Sequence, residues 1–403
     1  MPLKQKTIVL GVTGSIAAFK AAELATLFTK AGFRVDVIMT RSAMEFITPL
    51  TFRNVTGRPV VTTMWDLSSE FSVEHVALAE AADAILIAPA TANIIAKIAC
   101  GIADDMLTCT VLATKAPVII APAMNDNMWA NEVTQQNVEK LKKRGFTFIG
   151  PVYGRLASGK HGLGRLIDLN EIFDITLQVL GRTGDLAGRK IVVTAGGTAE
   201  PLDPVRTLTN RSSGKMGYAI AEAARNRGAE VVLISAPVSL PRPAGIKIVD
   251  VNTTEEMLNA VTKAVKTADA LIMAAAPADF RPIKSSNSKI KRESLHNLTI
   301  ELEKTPDILA SVKGDFIKVG FAAETDDILK NAVNKVKLKG LDLIVANNVT
   351  EKGSGFGSDT NRVTIIDSKG KAESLPLLPK SEVANFLLSK VSDLIKKKST
   401  RSG

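Results

Sequence analysis

Two glycine turns carry the first legible chemistry of the chain: Gly11, Gly14 and Ser15 follow the apolar run Ile8-Val9-Leu10, and Gly196-Gly197-Thr198 follows Ile191-Val192-Val193. A β-branched run that ends in small residues and leads into a helix turns backbone N–H groups and a positive helix terminus toward an anion, and the missing side chains let a phosphate come close. Neither turn completes the G-x-G-x-x-G spacing of a dinucleotide fingerprint, which makes a nicotinamide oxidoreductase a weak reading. Three further clusters of the first half fall at expected strand ends or helix starts. Thr91 and Asn93 follow Ala88-Pro89-Ala90, with Lys97 one helical turn later; His75 lies between Val73 and Leu78; Asn125 follows Pro122-Ala123-Met124. His75 is either a proton carrier or an ordinary surface histidine on a helix. Asn125 is either a ligand contact or the N-cap of the next helix.

Positioning these residues requires alternating strands and helices. In the first half, strands are expected at Thr7–Val12, Arg34–Met39, Ala84–Ala88, Pro117–Ala121 and Thr147–Ile149, with a helix near Ile16–Lys30. In the second, strands are expected at Lys190–Thr194, Glu230–Ile234, Ile246–Asp250, Ala270–Ala274, Phe316–Gly320 and Asp342–Val345. Apolar strands separated by helical stretches predict parallel sheets covered on both faces, with ligands outside the carboxyl ends of the strands. The fold class is therefore α/β: two Rossmann-like domains with mainly parallel sheets, 1–180 and 190–403. The glycine- and charge-rich segment 181–189 reads as a linker. Thr253-Thr254-Glu255-Glu256 has the spacing of a capping box that starts a helix. The lysine-rich stretch from Pro282 to Asn297 reads as a mobile flap, and Gly353 to Gly357 as a flexible turn rather than a phosphate loop.

With 403 residues, 45% of them hydrophobic, the chain can bury the cores of two or three domains. The longest apolar runs, Ala84 to Ala92 and Pro117 to Met124, are too short to cross a bilayer. Lys4 and Lys6 lead into a strand instead of an apolar targeting segment, so a cytoplasmic location with no membrane partner is expected. Cys100 and Cys109 lie in an apolar helical stretch and read as buried, inert thiols, against a disulfide scaffold or a cysteine-rich zinc site. The net charge of +10 is spread along a chain with only 4% aromatics, so small phosphorylated ligands explain it better than nucleic acid. Lys396-Lys397-Lys398 reads as a solvated helix end that suits the helix dipole.

The first-half motifs, Gly11 to Ala18, the His75 segment, Ala88 to Asn93 and Pro122 to Met128, resemble the flavin-containing cysteine decarboxylases. The second half, with Glu200 to Arg206 and Thr209 to Gly217, resembles the phosphopantothenate–cysteine ligases. In this order the pair resembles the bifunctional coenzyme A biosynthesis family over nearly the whole chain. The resemblance implies a flavodoxin-like first domain that binds FMN through Gly14, Ser15, Thr40, Thr91 and Asn93. It gives His75 the role of base and has Asn125 hold the substrate carboxylate, a task that suits an amide because it donates without adding a fixed charge. FMN answers a chemical need, since a β-mercapto amine carboxylate loses CO₂ readily only after the carbon bearing sulfur is oxidised to an electron sink. The resemblance also implies a homo-oligomer of trimeric flavin domains and dimeric ligase domains, up to a dodecamer.

One position departs from the family. Its flap carries an Ala-Cys-Gly motif whose cysteine protonates the ene-thiolate, whereas this chain has Ser158 there, between Arg155 and Arg165. A hydroxyl is a far weaker acid than a thiol, whose ordinary pKa is about 8.5. The flap glycines and Arg165 persist, and His161 is either an alternative acid, a phosphate contact or a solvated residue. The first domain is thus a decarboxylase whose final reduction is altered, or an enethiol-forming or regulatory flavin domain fused to a ligase.

For the second half the resemblance implies that CTP, with Mg²⁺, activates the carboxylate of 4′-phosphopantothenate as an acyl-cytidylate, which the amine of cysteine then attacks. Charge developing on phosphate and acyl oxygens calls for lysines, a metal and fixed donors. Asn210 matches the residue associated with turnover of the acyl-cytidylate, with Arg206 beside it, and Lys289 matches the lysine needed to make it. Met273, Ala274, Ala275, Asp279, Pro306, Asp307, Ile308, Leu309, Phe321, Lys335 and Lys339 match nucleotide-binding positions. Lys335 and Lys339 also fit a solvated helix face, and no metal ligands are assigned.

Overall fold

A computed structural model describes residues 6–65, 74–291, 298–324, 335–348, 354–355 and 357–400. The chain divides into two compact units, Met1–Leu180 and Gly181–Gly403.

In the first unit six parallel strands lie in the order Val60–Val61, Arg34–Met39, Thr7–Val12, Ala84–Ala90, Val118–Pro122, Thr147–Phe148. The central strands are apolar on both faces because helices cover both. Ile8 and Leu10 pack with Phe28 and Phe52 on one face, while Val9, Ile85 and Ile87 pack with Ile94 and Leu107 on the other. Each such burial contributes about 1.5–3 kcal/mol. Leaving aside the edge strand Val60–Val61, the strand order is the 2-1-3-4-5 of flavodoxin-like folds. Its switch point lies between Thr7–Val12 and Ala84–Ala90, so the turns at Gly14 and Thr91 flank one crevice. The helix Ala18–Lys30 starts two residues later than expected because Ser15 makes a separate turn, its Oγ accepting the Ala17 N–H at 3.3 Å. A hairpin outside the sheet pairs Val152–Arg155 antiparallel with His161–Arg165.

In the second unit eight strands lie in the order Lys247–Asp250, Glu230–Ser235, Lys190–Ala195, Ala270–Met273, Ile317–Glu324, Leu343–Asn348, Val363–Asp367, Ala372–Ser374. The first six are parallel and doubly wound, and the last two add an antiparallel edge. Ile191 and Val193 pack with Tyr218 and Leu387 on one face, Val192 and Leu271 with Met257 and Val261 on the other. At the switch point, between Lys190–Ala195 and Ala270–Met273, the Ala276 N–H donates to Gly196 O at 2.9 Å. Gly196 has φ 83°, which a side chain would strain.

Four expectations change in detail. Segment 181–189 is folded rather than a free linker: Leu186 is fully buried and Asp185 pairs with Arg227 at 2.6 Å. Its glycines serve close contact, since a Cβ on Gly184 would fall 2.2 Å from Arg227 O. Cys100 is exposed, because it ends the helix Ala92–Cys100 beside left-handed Gly101, and Cys109 is half-buried. Burial, with Asp105 and Asp104 nearby, pushes the Cys109 thiol up. Thr253 caps the helix Thr254–Ala264 as expected, but the Glu256 carboxylate accepts from Asn252 N–H at 2.7 Å and so closes the box one residue early. The lysine-rich stretch opens as a ribbon, Phe280–Pro282 against Leu302–Lys304, and residues 292–297 lie outside the described residues, as do Gly353 and Phe356 of the later turn. Among the described residues no helix is long and apolar enough to cross a membrane.

Candidate functional site

Each unit opens a cavity at its switch point. The first, about 700 Å³, gathers Gly14, Ser15, Thr91, Asn125 and Ser158. Gly14 is required by contact, since a Cβ there would lie 2.4 Å from Ser42 Cβ. Thr13 joins the two flanking turns: its Oγ1 donates to Pro89 O at 2.6 Å and accepts from Thr91 N–H at 3.1 Å. Thr91 caps the helix Ala92–Cys100 through Ile94 N–H at 3.3 Å. Thr40 is outside the lining; it caps Arg41–Met44 and donates its N–H to Val12 O at 3.1 Å, supporting the Gly14 turn. Asn93 is exposed and outside the lining, and Lys97 is engaged by Asp104 at 2.7 Å and Asp105 at 3.2 Å.

Asn125 is the N-cap of Asp126–Ala130, its Oδ1 accepting from Asn127 N–H at 2.9 Å. Its Nδ2 has no partner among the described residues, so capping leaves a donor at the cavity wall. The hairpin is held against this loop by the Met124 N–H, which donates to Gly164 O at 3.0 Å. A Cβ on Gly164 would fall 2.2 Å from Met124 O, so glycine is what permits the approach. The hairpin brings Ser158, Arg155 and Arg165 to the cavity, and Lys20 joins them from the first helix. Lys20 escaped sequence reading and Arg155 was read only as the edge of the flap motif, because an isolated basic residue carries no spacing signal. His75 lies half-buried in the helix Glu74–Ala81, outside the lining, and the preceding residues 66–73 are not described. His161 is exposed and also outside it.

The second cavity, about 740 Å³, gathers Asn210, Met273, Ala274, Ala275, Asp279, Pro306, Asp307, Ile308, Leu309, Phe321 and Lys339. Asn210 Nδ2 donates to Ala276 O at 3.2 Å and Pro277 O at 3.0 Å, joining two walls. Asp307 caps the short helix Ile308–Ser311 and pairs with Lys339 at 2.9 Å. Burial pushes the Asp307 carboxyl up, but Lys339 and the N–H groups of Ala310 and Leu309 outweigh it and hold it below the usual carboxylate range. Three expected residues lie outside the lining. Arg206 Nη1 donates to Asp203 at 3.0 Å and to Ile290 O at 3.1 Å, Lys289 is exposed beside Ile290 on the arm formed by residues 283–291 of the lysine-rich stretch, and Lys335 is half-buried in a helical stretch.

Two lysines of this cavity were not singled out from sequence. Lys380, 7% exposed, donates to the carbonyls of Gly355 and Ser358; Lys215 donates to Gly357 O at 2.8 Å and Asp359 Oδ1 at 2.7 Å. The described part of the later glycine turn is therefore gripped at the cavity wall. Burial, then the Lys215 charge, push the Lys380 ammonium below the ordinary lysine range. Lys215 sat inside a recognised motif, whereas Lys380, at the start of the C-terminal helix Lys380–Ser399, had no local signal. Lysines, a fixed amide and two strand-end turns suit a polyphosphate and an acyl group. No group of three or more metal-ligating side chains occurs among the described residues.

Residues 1–181 match the family model described as Flavoprotein, and residues 186–395 match that of the DNA/pantothenate metabolism flavoprotein C-terminal domain. The chain is 43% identical over 398 residues to the coenzyme A biosynthesis bifunctional protein CoaBC of Vibrio vulnificus, covering 98% of this chain and 99% of that one. To the protein of the same name from Bacillus subtilis it is 43% identical over 406 residues, covering 99% and 100%. The Escherichia coli protein is 43% identical over 398 residues, covering 97% and 98%. With both domain models in this order and likeness over nearly its full length, the chain belongs to the family of bifunctional coenzyme A biosynthesis proteins, which combine phosphopantothenoylcysteine decarboxylase and phosphopantothenate–cysteine ligase activities.

Proposed function

We propose that the second-unit cavity joins 4′-phosphopantothenate to cysteine using CTP, and that the first-unit cavity decarboxylates the resulting phosphopantothenoylcysteine using FMN. The convergence of Asn210, Asp279, the turn from Pro306 to Leu309 and Lys339 on one cavity supports the ligase half most strongly. CTP would lie across the switch point, with its triphosphate toward the lysines. The carboxylate oxygen attacks the α-phosphorus, pyrophosphate leaves, and the cysteine amine then displaces CMP from the acyl carbon. Lys289 would meet charge before pyrophosphate leaves, and Asn210 would act after it. The described residues offer no protein cage for Mg²⁺, which fits an ion that arrives on the nucleotide phosphates; no step is assigned to it.

The first cavity fits FMN through the main chain at Gly14 and Ser15 and the polar Thr91 turn, a cradle that a Cβ at Gly14 would disrupt. FMN, when bound, supplies the hydride acceptor that makes the carbon bearing sulfur an electron sink. Asn125 Nδ2 would hold the departing carboxylate, and Arg155, Arg165 and Lys20 would hold the substrate phosphate. Ile16, Phe19 and Met128 line this cavity yet are 58%, 59% and 48% exposed, which supports self-association over its rim. A neighbouring copy would then complete the site, with His75 as a base delivered across the contact. The family resemblance supports trimers of the first domain and dimers of the second.

Ser158 favours a second reading for the last step: the hairpin lines the cavity, but Ser158 at its tip offers a hydroxyl, a far weaker acid than a thiol. Supplying phosphopantothenate, cysteine, Mg²⁺ and either CTP or ATP, and following pyrophosphate release and product mass, tests the whole assignment. Turnover with ATP alone would remove the CTP assignment, and no ligation with either nucleotide would remove the ligase reading.

A further inference from the structure

We propose that Asp203 is a positioning residue for the ligase, fixing the arm that carries Lys289 by holding the main chain of the residue that follows it. The inference rests on the reading that Lys289 serves formation of the acyl-cytidylate. The Asp203 side chain is 0% exposed, and four donors satisfy it. Its Oδ1 accepts from the N–H groups of Val205 and Arg206, each at 2.8 Å. Its Oδ2 accepts from Ile290 N–H at 3.2 Å and from Arg206 Nη1 at 3.0 Å. The same Arg206 nitrogen donates to Ile290 O at 3.1 Å. Both polar main-chain groups of Ile290 are thus held by one acid–base pair, and the Ser286 N–H adds a bond to Leu202 O at 2.9 Å.

Only a carboxylate satisfies this arrangement. Every group facing Asp203 is a donor, so an asparagine would set its own NH₂ against at least one of them. Anchoring the backbone beside Lys289 leaves the long side chain free to reach charge while lowering the ordering cost of bringing it there. It also explains why Arg206 lies outside the cavity: its guanidinium is spent on the arm.

The test uses the full-length protein and single-turnover release of pyrophosphate from CTP and phosphopantothenate. Asp203→Asn is expected to slow release about ten- to a hundredfold, to quicken tryptic cleavage after Lys289 and Lys291, and to add nothing in the Lys289→Gln background. Additive losses in the double variant would overturn the proposal, because Asp203 would then act on something other than Lys289. Since Asp203→Asn can weaken the whole unit, hydrogen exchange in the unaltered protein provides a separate readout. The Ile290 amide should exchange more slowly than that of Lys289, and equal rates would overturn the anchor. Full pyrophosphate release by Lys289→Gln would instead remove the reading of Lys289, and with it the kinetic role of Asp203, while a protected Ile290 amide would leave the anchor itself standing.

Discussion

The side-chain amide of Asn210 donates to the carbonyl of Pro277 at 3.0 Å, tying the loop that precedes one helix to the turn that follows a central strand. The Ala276 carbonyl accepts from the same nitrogen at 3.2 Å, so the ligase cavity has two walls joined by one donor. Gly197 makes this possible, since a Cβ there would stand 2.8 Å from Asn210 O.

Asn210→Asp replaces that donor with an acceptor facing two carbonyls. The tie between the two walls should be lost, and because Asn210 is assigned to turnover of the acyl-cytidylate, the intermediate should accumulate when cysteine is present. Lys289→Gln should prevent its formation instead. Rapid quenching with mass detection checks both, and equal accumulation in the two variants would contradict the separate roles.

Ser158→Cys restores a thiol at the hairpin tip. The unaltered chain should give a decarboxylated product two hydrogens lighter than phosphopantetheine, an aminoenethiol, and the variant should give the saturated product. Mass spectrometry of anaerobic reactions with phosphopantothenoylcysteine distinguishes them. Saturated product from the unaltered chain would show that His161 or water completes the reduction.

Gly164→Ala places a Cβ within 2.2 Å of Met124 O, too close for the hairpin to keep its seat. Overpacking of this kind costs about 1–3 kcal/mol. Decarboxylation should fall steeply while ligation is kept, measured by separate assays of the two steps on one preparation.

Acid should weaken the second unit through Asp203. Burial pushes its carboxyl up, but the N–H groups of Val205, Ile290 and Arg206 and the Arg206 charge outweigh it, leaving the folded-state pKa below its ordinary value. A depressed carboxyl contributes stability that is present above the unfolded pKa of about 3.9 and lost as pH falls through the lower folded value. Calorimetry between pH 5 and 2, values chosen to bracket roughly that window, should show a shallower acid loss for Asp203→Asn than for the unaltered chain.

Much of the fold was legible because its strands are buried on both faces and so appear as continuous apolar runs, as at Ile8-Val9-Leu10 and Ile191-Val192-Val193. The antiparallel edge Val363–Asp367 and Ala372–Ser374 was not, because a short strand pair at a sheet margin has little periodicity to read. Glycines misled in one place: Gly181 and Gly184 look like flexibility in sequence but serve contact with Asn226 and Arg227. Asn125 carried two signals at once, and the structure carries both features: its Oδ1 caps a helix, and the residue lines the cavity. Lys380 was invisible because its partners, Gly355 and Ser358, are distant in sequence and bind through main-chain carbonyls.

One chain is expected to run both steps from two cavities. Incubating the full-length protein, loaded with FMN, with 4′-phosphopantothenate, cysteine, CTP and Mg²⁺, and following products by mass, tests it most directly. Phosphopantothenoylcysteine should appear first, with release of pyrophosphate and CMP, and should then lose CO₂. Asn125→Ala should halt the sequence at phosphopantothenoylcysteine, and Lys289→Gln should halt it before any ligated product forms. Decarboxylated product that persists in the Asn125 variant would remove Asn125 from the decarboxylation site, and ligation that proceeds without CTP would remove the acyl-cytidylate route.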